Sequence, residues 1–580
     1  MVRKLIRVNM AKGTVKTEDL SGEYAQLGGR GLTSCIVARE VPPQCHPLSP
    51  ENKLVMACGL LAGTTCANSG RISVGAKSPL TGGIKESNAG GNAANKMGRL
   101  RIAGIVFEDA APAGKLSYLY IDKDRTELLP ADDLKGLNNF ALCEKLKAKY
   151  GAKVGIVSIG SAGEMKMSSA SVAVTDTMGL PARHAGRGGL GAVMGSKGLK
   201  AVVIDDKDAP GVEYKDQEAF RQAAGIFRDA LREHPVTKPG GGLPVYGTNV
   251  LVNVINEAGA FPTMNFSEGR FEGAQKISGE TMHDIIKERG GNTTHAGCTT
   301  CIIQCSNVYN DKNGNYLTSG FEYETIWANG ANCGIDDLDS IAKVSYLCDD
   351  YGLDTIEVGD AVAVAMYAGV KKFGDAAGAI ELVNEIGKGS PLGRILGGGT
   401  SVVAQAFGVD QVPVVKRQGL PAYDPRACMG IGVTYATSPM GADHTAGYAV
   451  ATNIMGVGGS VDPLKPDGQV ELSRNLQIAT AAIDSAGLCV FVAFPALDIP
   501  AGLNAIPAML NAVYGGNLDL NGVSEFGKMI LKIERDFNTA AGLTPEDDRL
   551  PYFFKTKPLS PHNIVFQVPD KALDDAFVKM

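Results

Sequence analysis

The residues with the clearest chemistry are Cys298-Thr299-Thr300-Cys301-Ile302-Ile303-Gln304-Cys305, three thiols spaced C-x2-C-x3-C, with a candidate fourth, Cys489, far downstream. Three close thiolates and one remote one make a soft sulfur cage. Such a cage suits an iron–sulfur cluster or structural zinc and would not serve an oxygen-loving ion. No histidine follows at zinc-finger spacing, which favours iron and makes a [4Fe–4S] cluster the expected occupant. The other cysteines, Cys35, Cys45, Cys58, Cys66, Cys143, Cys333, Cys348 and Cys428, lack ligand spacing and are expected to be small core residues.

Two further patterns bear on cofactor binding. Gly28-Gly29-Arg30-Gly31, Ser69-Gly70-Arg71 with Asn88-Ala89-Gly90-Gly91, and Arg183-His184-Ala185-Gly186-Arg187-Gly188-Gly189 set bare backbone amides beside guanidinium groups. Both kinds of donor match phosphate oxygens, so three such clusters in one region point to an anion site over separate tight turns. None is a Walker loop or a dinucleotide fingerprint. The second pattern is D-x-x-G-L-[DC], present as Asp349-Asp350-Tyr351-Gly352-Leu353-Asp354 and as Asp484-Ser485-Ala486-Gly487-Leu488-Cys489. Each closes a predicted helix with a glycine suited to a left-handed turn. An acid at a helix C-terminus opposes the macrodipole, a small cost that a heterocycle with paired N–H donors would offset; a recurrent helix cap is the plainer alternative. The second motif ends in Cys489, which ties it to the thiol cage.

The elements that must position these groups follow from composition and periodicity. The chain has 580 residues, 44% hydrophobic and 20% charged, enough for a large core divided among roughly three or four domains. A net charge of −6 leaves no basic footprint for nucleic acid. The stretch Met1 to Asn9 alternates like a strand and lacks the apolar core of a signal peptide, and twelve cysteines without such a signal imply reduced thiols in a cytoplasmic, anaerobic setting. The longest apolar stretch, around Ala361 to Val370, falls short of the ~20 residues that span a bilayer, so no membrane span is expected. Short β-branched runs at 53–58, 71–76, 102–107, 116–121 and 201–204 predict strands, whereas 217–234, 338–350, 356–372 and 470–486 carry helical spacing. The expected organisation is a β-rich domain over 1–206 and two largely helical domains over 207–412 and 413–580, the second boundary preceding the proline-interrupted run Leu420 to Arg426.

Taken together, these residues resemble the aldehyde ferredoxin oxidoreductase family. The likeness runs nearly the whole chain and includes Gly28-Gly29-Arg30-Gly31, Pro47-Leu48-Ser49-Pro50-Glu51-Asn52-Lys53, Lys77-Ser78-Pro79-Leu80-Thr81-Gly82, the segment Ala185 to Lys197, the C-x2-C-x3-C run and both D-x-x-G-L motifs. The resemblance implies an α+β fold in which a pair of N-terminal β-sheets forms the base under the cofactor, with two mostly helical domains above it. It implies tungsten held by two pterin dithiolenes beside a [4Fe–4S] cluster on Cys298, Cys301, Cys305 and Cys489. Asp349, Leu353 and Asp354 would form one pterin loop, and Asp484, Leu488 and Cys489 the other. Arg71, Asn88, Gly90, Arg183, His184, Gly186 and Arg187 fall where the family holds the pterin phosphates, bridged by Mg2+ on the backbone carbonyls of Asn88 and His184. The family often carries a small residue at the position of His184.

Two residues match positions that flank the metal in the family: Glu324, a base if burial raises its pKa, and His444, a hydrogen-bond donor to a substrate carbonyl. The implied reaction is two-electron oxidation of an aldehyde to a carboxylic acid, or the reverse. Electrons would pass through the cluster to ferredoxin or a small iron–sulfur subunit, within a homo- or hetero-oligomer. Some members join subunits through a metal held by an acid and a histidine; here Ile341-Ala342-Lys343-Val344-Ser345-Tyr346 supplies neither, so that metal is not expected. The competing readings are a ring reductase of aromatic thioesters, like benzoyl-CoA reductase, and a zinc-stapled scaffold without activity.

Overall fold

The structure, a computed structural model, describes residues 2–578. Apolar runs bounded by glycine, proline or aspartate form its strands, and Leu54–Cys58, Ile72–Lys77 and Leu199–Ile204 are buried at every position. The first sheet comprises β1 (Lys4–Asn9), β2 (Thr14–Asp19), β3 (Leu54–Cys58), β4 (Ile72–Lys77), β5 (Ile84–Ala89) and β6 (Ile102–Glu108), in the order β2-β1-β6-β3-β4-β5. The second comprises β7 (Ser117–Ile121), β8 (Thr126–Pro130), β9 (Gly155–Ser158), β10 (Val172–Val174), β11 (Arg183–Ala185) and β12 (Leu199–Ile204). Read from the matching edge, its order is β8-β7-β12-β9-β10-β11.

The second sheet therefore repeats the first strand for strand. In each, the first and sixth strands make the one parallel pair. Each carries a helix between its second and third strands, Gly29–Glu40 or Asn139–Tyr150, and another between its fifth and sixth, Ala93–Arg99 or Leu190–Ser196. Ile6, Met56 and Ile105 of one sheet share a core with Leu119, Val157 and Val202 of the other. This is the expected double β base, and its duplication gives the two sheets matching edges.

The predicted strands begin or end within two residues of the observed ones. The helix predicted over 356–372 stops earlier, at Tyr367, because the chain turns through Gly369 at φ +85°. The 412–413 junction lies within one continuous core, in which Trp327 and Tyr323 from one side meet Tyr423 and Phe554 from the other. All eight cysteines without ligand spacing are buried and free. Among the described residues, no helix is long and apolar enough to cross a membrane.

Helix Gln469–Ala486, helix Gly29–Glu40 of the base and helix Leu520–Ala540 pack against one another. Arg30 pins this junction with a bidentate pair to Glu534, at 2.7 and 2.9 Å, and the Ser34 hydroxyl donates to the same carboxylate at 2.7 Å. Both charged groups are buried, so removing one leaves the other uncompensated, a cost of about 3–5 kcal/mol. Glu534→Ala is accordingly expected to lower the urea midpoint sharply, and Glu534→Gln, which keeps the shape and one acceptor, to lower it less.

Candidate active site

Both D-x-x-G-L segments end helices as their spacing requires. Helix Leu338–Tyr351 is capped by Gly352 at φ +72° and helix Gln469–Ala486 by Gly487 at φ +79°, left-handed positions that favour glycine. Each motif then docks on its own sheet. Gly487 O accepts from Arg71 N at 3.3 Å, and Cys489 N donates to Asn68 O at 2.9 Å. In the other half Gly352 O accepts from Ser171 N and Asp354 N donates to Ser169 O, both at 2.9 Å. The approach is close enough that a Cβ on Gly59 would stand 2.1 Å from the Gly487 Cα, and one on Gly160 2.4 Å from the Tyr351 backbone.

Between the base and the helices lies a cavity of about 390 Å³. Its floor includes Arg71, Asn88, Gly90, Arg183, His184, Gly186 and Arg187 from the two sheet edges. Asp349, Leu353 and Asp354 enter from one loop, and Asp484 and Cys489 from the other. Leu488 differs from its counterpart Leu353: it is fully buried in the core beneath its loop and does not reach the cavity wall. Burial pushes the Asp484 carboxyl up to about 6 against the opposing charges of Arg30 and Arg71. Asp349 is likewise raised by burial, with His184 opposing the shift.

Cys298, Cys301, Cys305 and Cys489 line one side of this cavity. Asn68 stitches the two cysteine segments together: its backbone carbonyl holds Cys489 N, its backbone N–H donates to Thr300 O at 3.0 Å, and its side-chain oxygen accepts from Ile302 N at 3.2 Å. Within the loop, Gln304 N points at Cys301 Sγ from 3.2 Å. Gly90 leaves room for the thiols, since a Cβ there would stand 2.2 Å from Cys298 Sγ. Among the described residues, no three His, Cys, Asp or Glu side chains converge closely enough to hold a single ion. The donor chemistry and the glycine cradle fit a cluster.

Glu324 and His444 meet on the helical side of the cavity, with His444 Nε2 3.3 Å from Glu324 Oε1. Glu324 lies in the first turn of helix Tyr323–Asn329, and its other oxygen accepts from Ala422 N at 3.0 Å. Tyr323 OH donates to the carbonyl of the same Ala422 at 2.8 Å, which fixes the segment on both sides. Burial pushes the Glu324 carboxyl up to about 8, because desolvation penalises the carboxylate more than Arg187 supports it. Burial likewise depresses His444, to about 4, so its imidazole is neutral at pH 7. His444 Nδ1 and Glu324 Oε1 are buried without a full hydrogen bond, a pair held ready for an external partner.

Several contributors carried no spacing signal. Lys85 on β5, buried, pairs with Asp443 at 3.1 Å and anchors the turn that presents His444; that charge, with that of Arg187, overcomes burial and holds Asp443 well below the usual carboxylate range. A wall of aromatic rings continues outward from His444, where Tyr423 and Tyr448 lie 6.0 and 6.3 Å from the imidazole and Phe494 lies 6.3 Å beyond Tyr448. Asn68 immediately precedes the Ser69-Gly70-Arg71 cluster, the one hint of its role.

A duplicated β base, two glycine-ended helices bringing one carboxylate loop to each half, and a cavity between them flanked by four cysteines define an α+β enzyme with a large two-sided cofactor cleft. The chain belongs to the aldehyde ferredoxin oxidoreductase family. The family's N-terminal domain matches residues 5–206 and its domains 2 and 3 match residues 223–578. The tungsten-containing aldehyde ferredoxin oxidoreductase of Pyrococcus horikoshii is 39% identical over 96% of this chain and 92% of that protein. The protein of the same description from Pyrococcus furiosus is 37% identical over the same shares. The active-site complex BamBC of benzoyl coenzyme A reductase, in complex with 1,5-dienoyl-CoA, shares the fold, with a TM-score of 0.79 at 21% identity, covering 100% of this chain and 94% of that one.

Proposed function

We propose that this protein is a tungsten–pterin oxidoreductase that interconverts aldehydes and carboxylic acids and passes electrons through a [4Fe–4S] cluster to ferredoxin or a small iron–sulfur subunit. The observation that carries the reading is the Glu324–His444 pair, 3.3 Å apart, facing the same cavity as the four cysteines and both acidic loops. Family membership, with relatives described as tungsten-containing aldehyde ferredoxin oxidoreductases, supports it. Cys298, Cys301, Cys305 and Cys489 would hold the cluster. Asp349, Leu353 and Asp354 would hold one pterin, and Asp484, Leu488 and Cys489 the other, with Leu488 acting through its backbone and packing. Arg71, Gly90, Arg183, Gly186 and Arg187 would receive the phosphates, with Mg2+ on the carbonyls of Asn88 and His184. The division into 1–206, 207–412 and 413–580 is proposed with these roles.

When bound, the metal–pterin group supplies a two-electron acceptor and a Lewis acid. The chain supplies the proton chemistry. Neutral His444 donates to the aldehyde oxygen from Nδ1, the ring nitrogen without a partner in the protein, and Glu324, once ionised, accepts a proton from the water that adds to the carbonyl carbon. Aldehyde and water become acid, two protons and two electrons. Cys489 belongs both to the second acidic loop and to the thiol set, so one segment would hold both electron carriers.

Elemental analysis of anaerobically purified protein tests the reading, with about one W and four Fe per chain expected. Oxidation of an aldehyde panel with a viologen acceptor should follow. Zinc without tungsten or iron would overturn the proposal in favour of a structural staple. Activity on an aromatic CoA thioester and on no aldehyde would favour the ring-reductase alternative, to which the BamBC likeness lends the fold alone.

A further inference from the structure

We propose that the side chains of Asn88 and His184 are equivalent positioning residues, one in each half of the base, that hold the two loop carboxylates Asp484 and Asp349 in place for the pterins. The inference rests on the tungsten–pterin reading and adds to it a role for two side chains so far assigned only backbone carbonyls.

The equivalence is set by register. In the first sheet Ile72 pairs with Ala89 and Ser73 with Asn88; in the second Val172 pairs with Ala185 and Ala173 with His184. Both residues are thus the penultimate position of the corresponding strand, in the local sequences Asn88-Ala89-Gly90 and His184-Ala185-Gly186. Each reaches the first acid of the motif docked on its own sheet. Asn88 Nδ2 donates to Asp484 Oδ1 at 3.3 Å, and His184 Nε2 stands 3.2 Å from Asp349 Oδ1 and 3.1 Å from Pro181 O.

Each is also fixed from behind by the residue preceding the fourth strand of its sheet. Arg71 Nε donates to Asn88 Oδ1, and the Ser171 hydroxyl lies 2.8 Å from His184 Nδ1. With Ser171 donating to Nδ1, the imidazole carries its hydrogen on Nε2, the nitrogen facing Asp349 and Pro181. Arg71–Asn88–Asp484 and Ser171–His184–Asp349 are therefore the same three-membered relay built from different side chains. Both acids sit at a helix C-terminus, where the macrodipole disfavours them, so a donor at that point has something to offset.

The test follows pterin retention in the holoenzyme. Wild type, His184→Ala and His184→Asn are purified anaerobically and held at a fixed elevated temperature, and released pterin is read by its fluorescence after oxidation, with iron per chain measured alongside. Loss of one hydrogen bond to a charged group predicts about tenfold faster pterin release in His184→Ala. His184→Asn, which installs the other half's solution, should restore most of the retention. Iron should stay at the wild-type level, because the His184 imidazole hydrogen-bonds Ser171 and Pro181 and not the cysteine loop. Wild-type release from His184→Ala, or release from His184→Asn as fast as from His184→Ala, would overturn the clamp. If His184→Ala does not accumulate as folded protein, Ser171→Ala must speed release in the same direction, and unchanged release there would overturn it equally. Wild-type protein containing no pterin would instead sink the functional reading itself.

Discussion

Replacing Glu324 by glutamine is expected to lower kcat/KM for aldehyde oxidation by about 100- to 10,000-fold, the usual worth of a positioned proton acceptor, while leaving iron content and visible absorbance at wild-type levels. The amide keeps the shape and the contact with Ala422 N but cannot take a proton. The pH profile makes the test specific. Burial holds the wild-type carboxyl protonated up to about pH 8, so the base form accumulates only as pH rises through that value, and kcat/KM should climb with it and then level off. The variant should lose that limb. Stability should run the opposite way: the folded-state pKa is raised from about 4.5 to about 8, so the contribution of the protonated form is complete below the unfolded value and is lost as pH climbs to the folded one. The Tm of wild type should therefore fall relative to Glu324→Gln across that window. A variant that keeps its activity and its pH limb would remove Glu324 from the chemistry.

Gly90→Ala is expected to strip most of the iron and the associated visible absorbance. The added methyl would stand 2.2 Å from Cys298 Sγ, far inside contact distance, so either the thiol or the 88–91 turn must move. The backbone is held, because Thr299 N donates to Gly91 O at 2.9 Å and locks the cysteine loop onto that same turn, and a thiol that rotates away leaves the cage. The duplicated base provides the control. Gly186 occupies the matching place in the second sheet, and a Cβ there meets nothing within 4 Å, so Gly186→Ala should retain its iron. Equal iron in the two variants would mean that Gly90 does not shape the thiol cage.

The chain by itself determined a good deal of this molecule. Thiol spacing is a local property, so Cys298, Cys301 and Cys305 were legible as a candidate ligand set from two short intervals. The helix ends at Gly352 and Gly487 were legible for a similar reason, since a left-handed turn after an apolar-periodic run leaves a glycine in a fixed place. The composition change near residue 206 marked the β base, because a strand covered on both faces must be apolar at nearly every position.

The tertiary structure decided what depends on contacts between distant segments. That Asn68 joins the cysteine loop to Cys489, that Lys85 anchors the turn of His444, and that Arg30 finds Glu534 could not be read from spacing, because these partners lie hundreds of residues apart and each type alone is commonplace. The repeated sheet topology was hidden for a related reason: strand order is set by pairing, and the two halves keep their register while sharing little sequence. Burial, too, belongs to the folded chain. Glu324 and His444 are ordinary side chains in sequence, and only the closing of helix and loop around them moves one pKa up and the other down until both are neutral at the same pH.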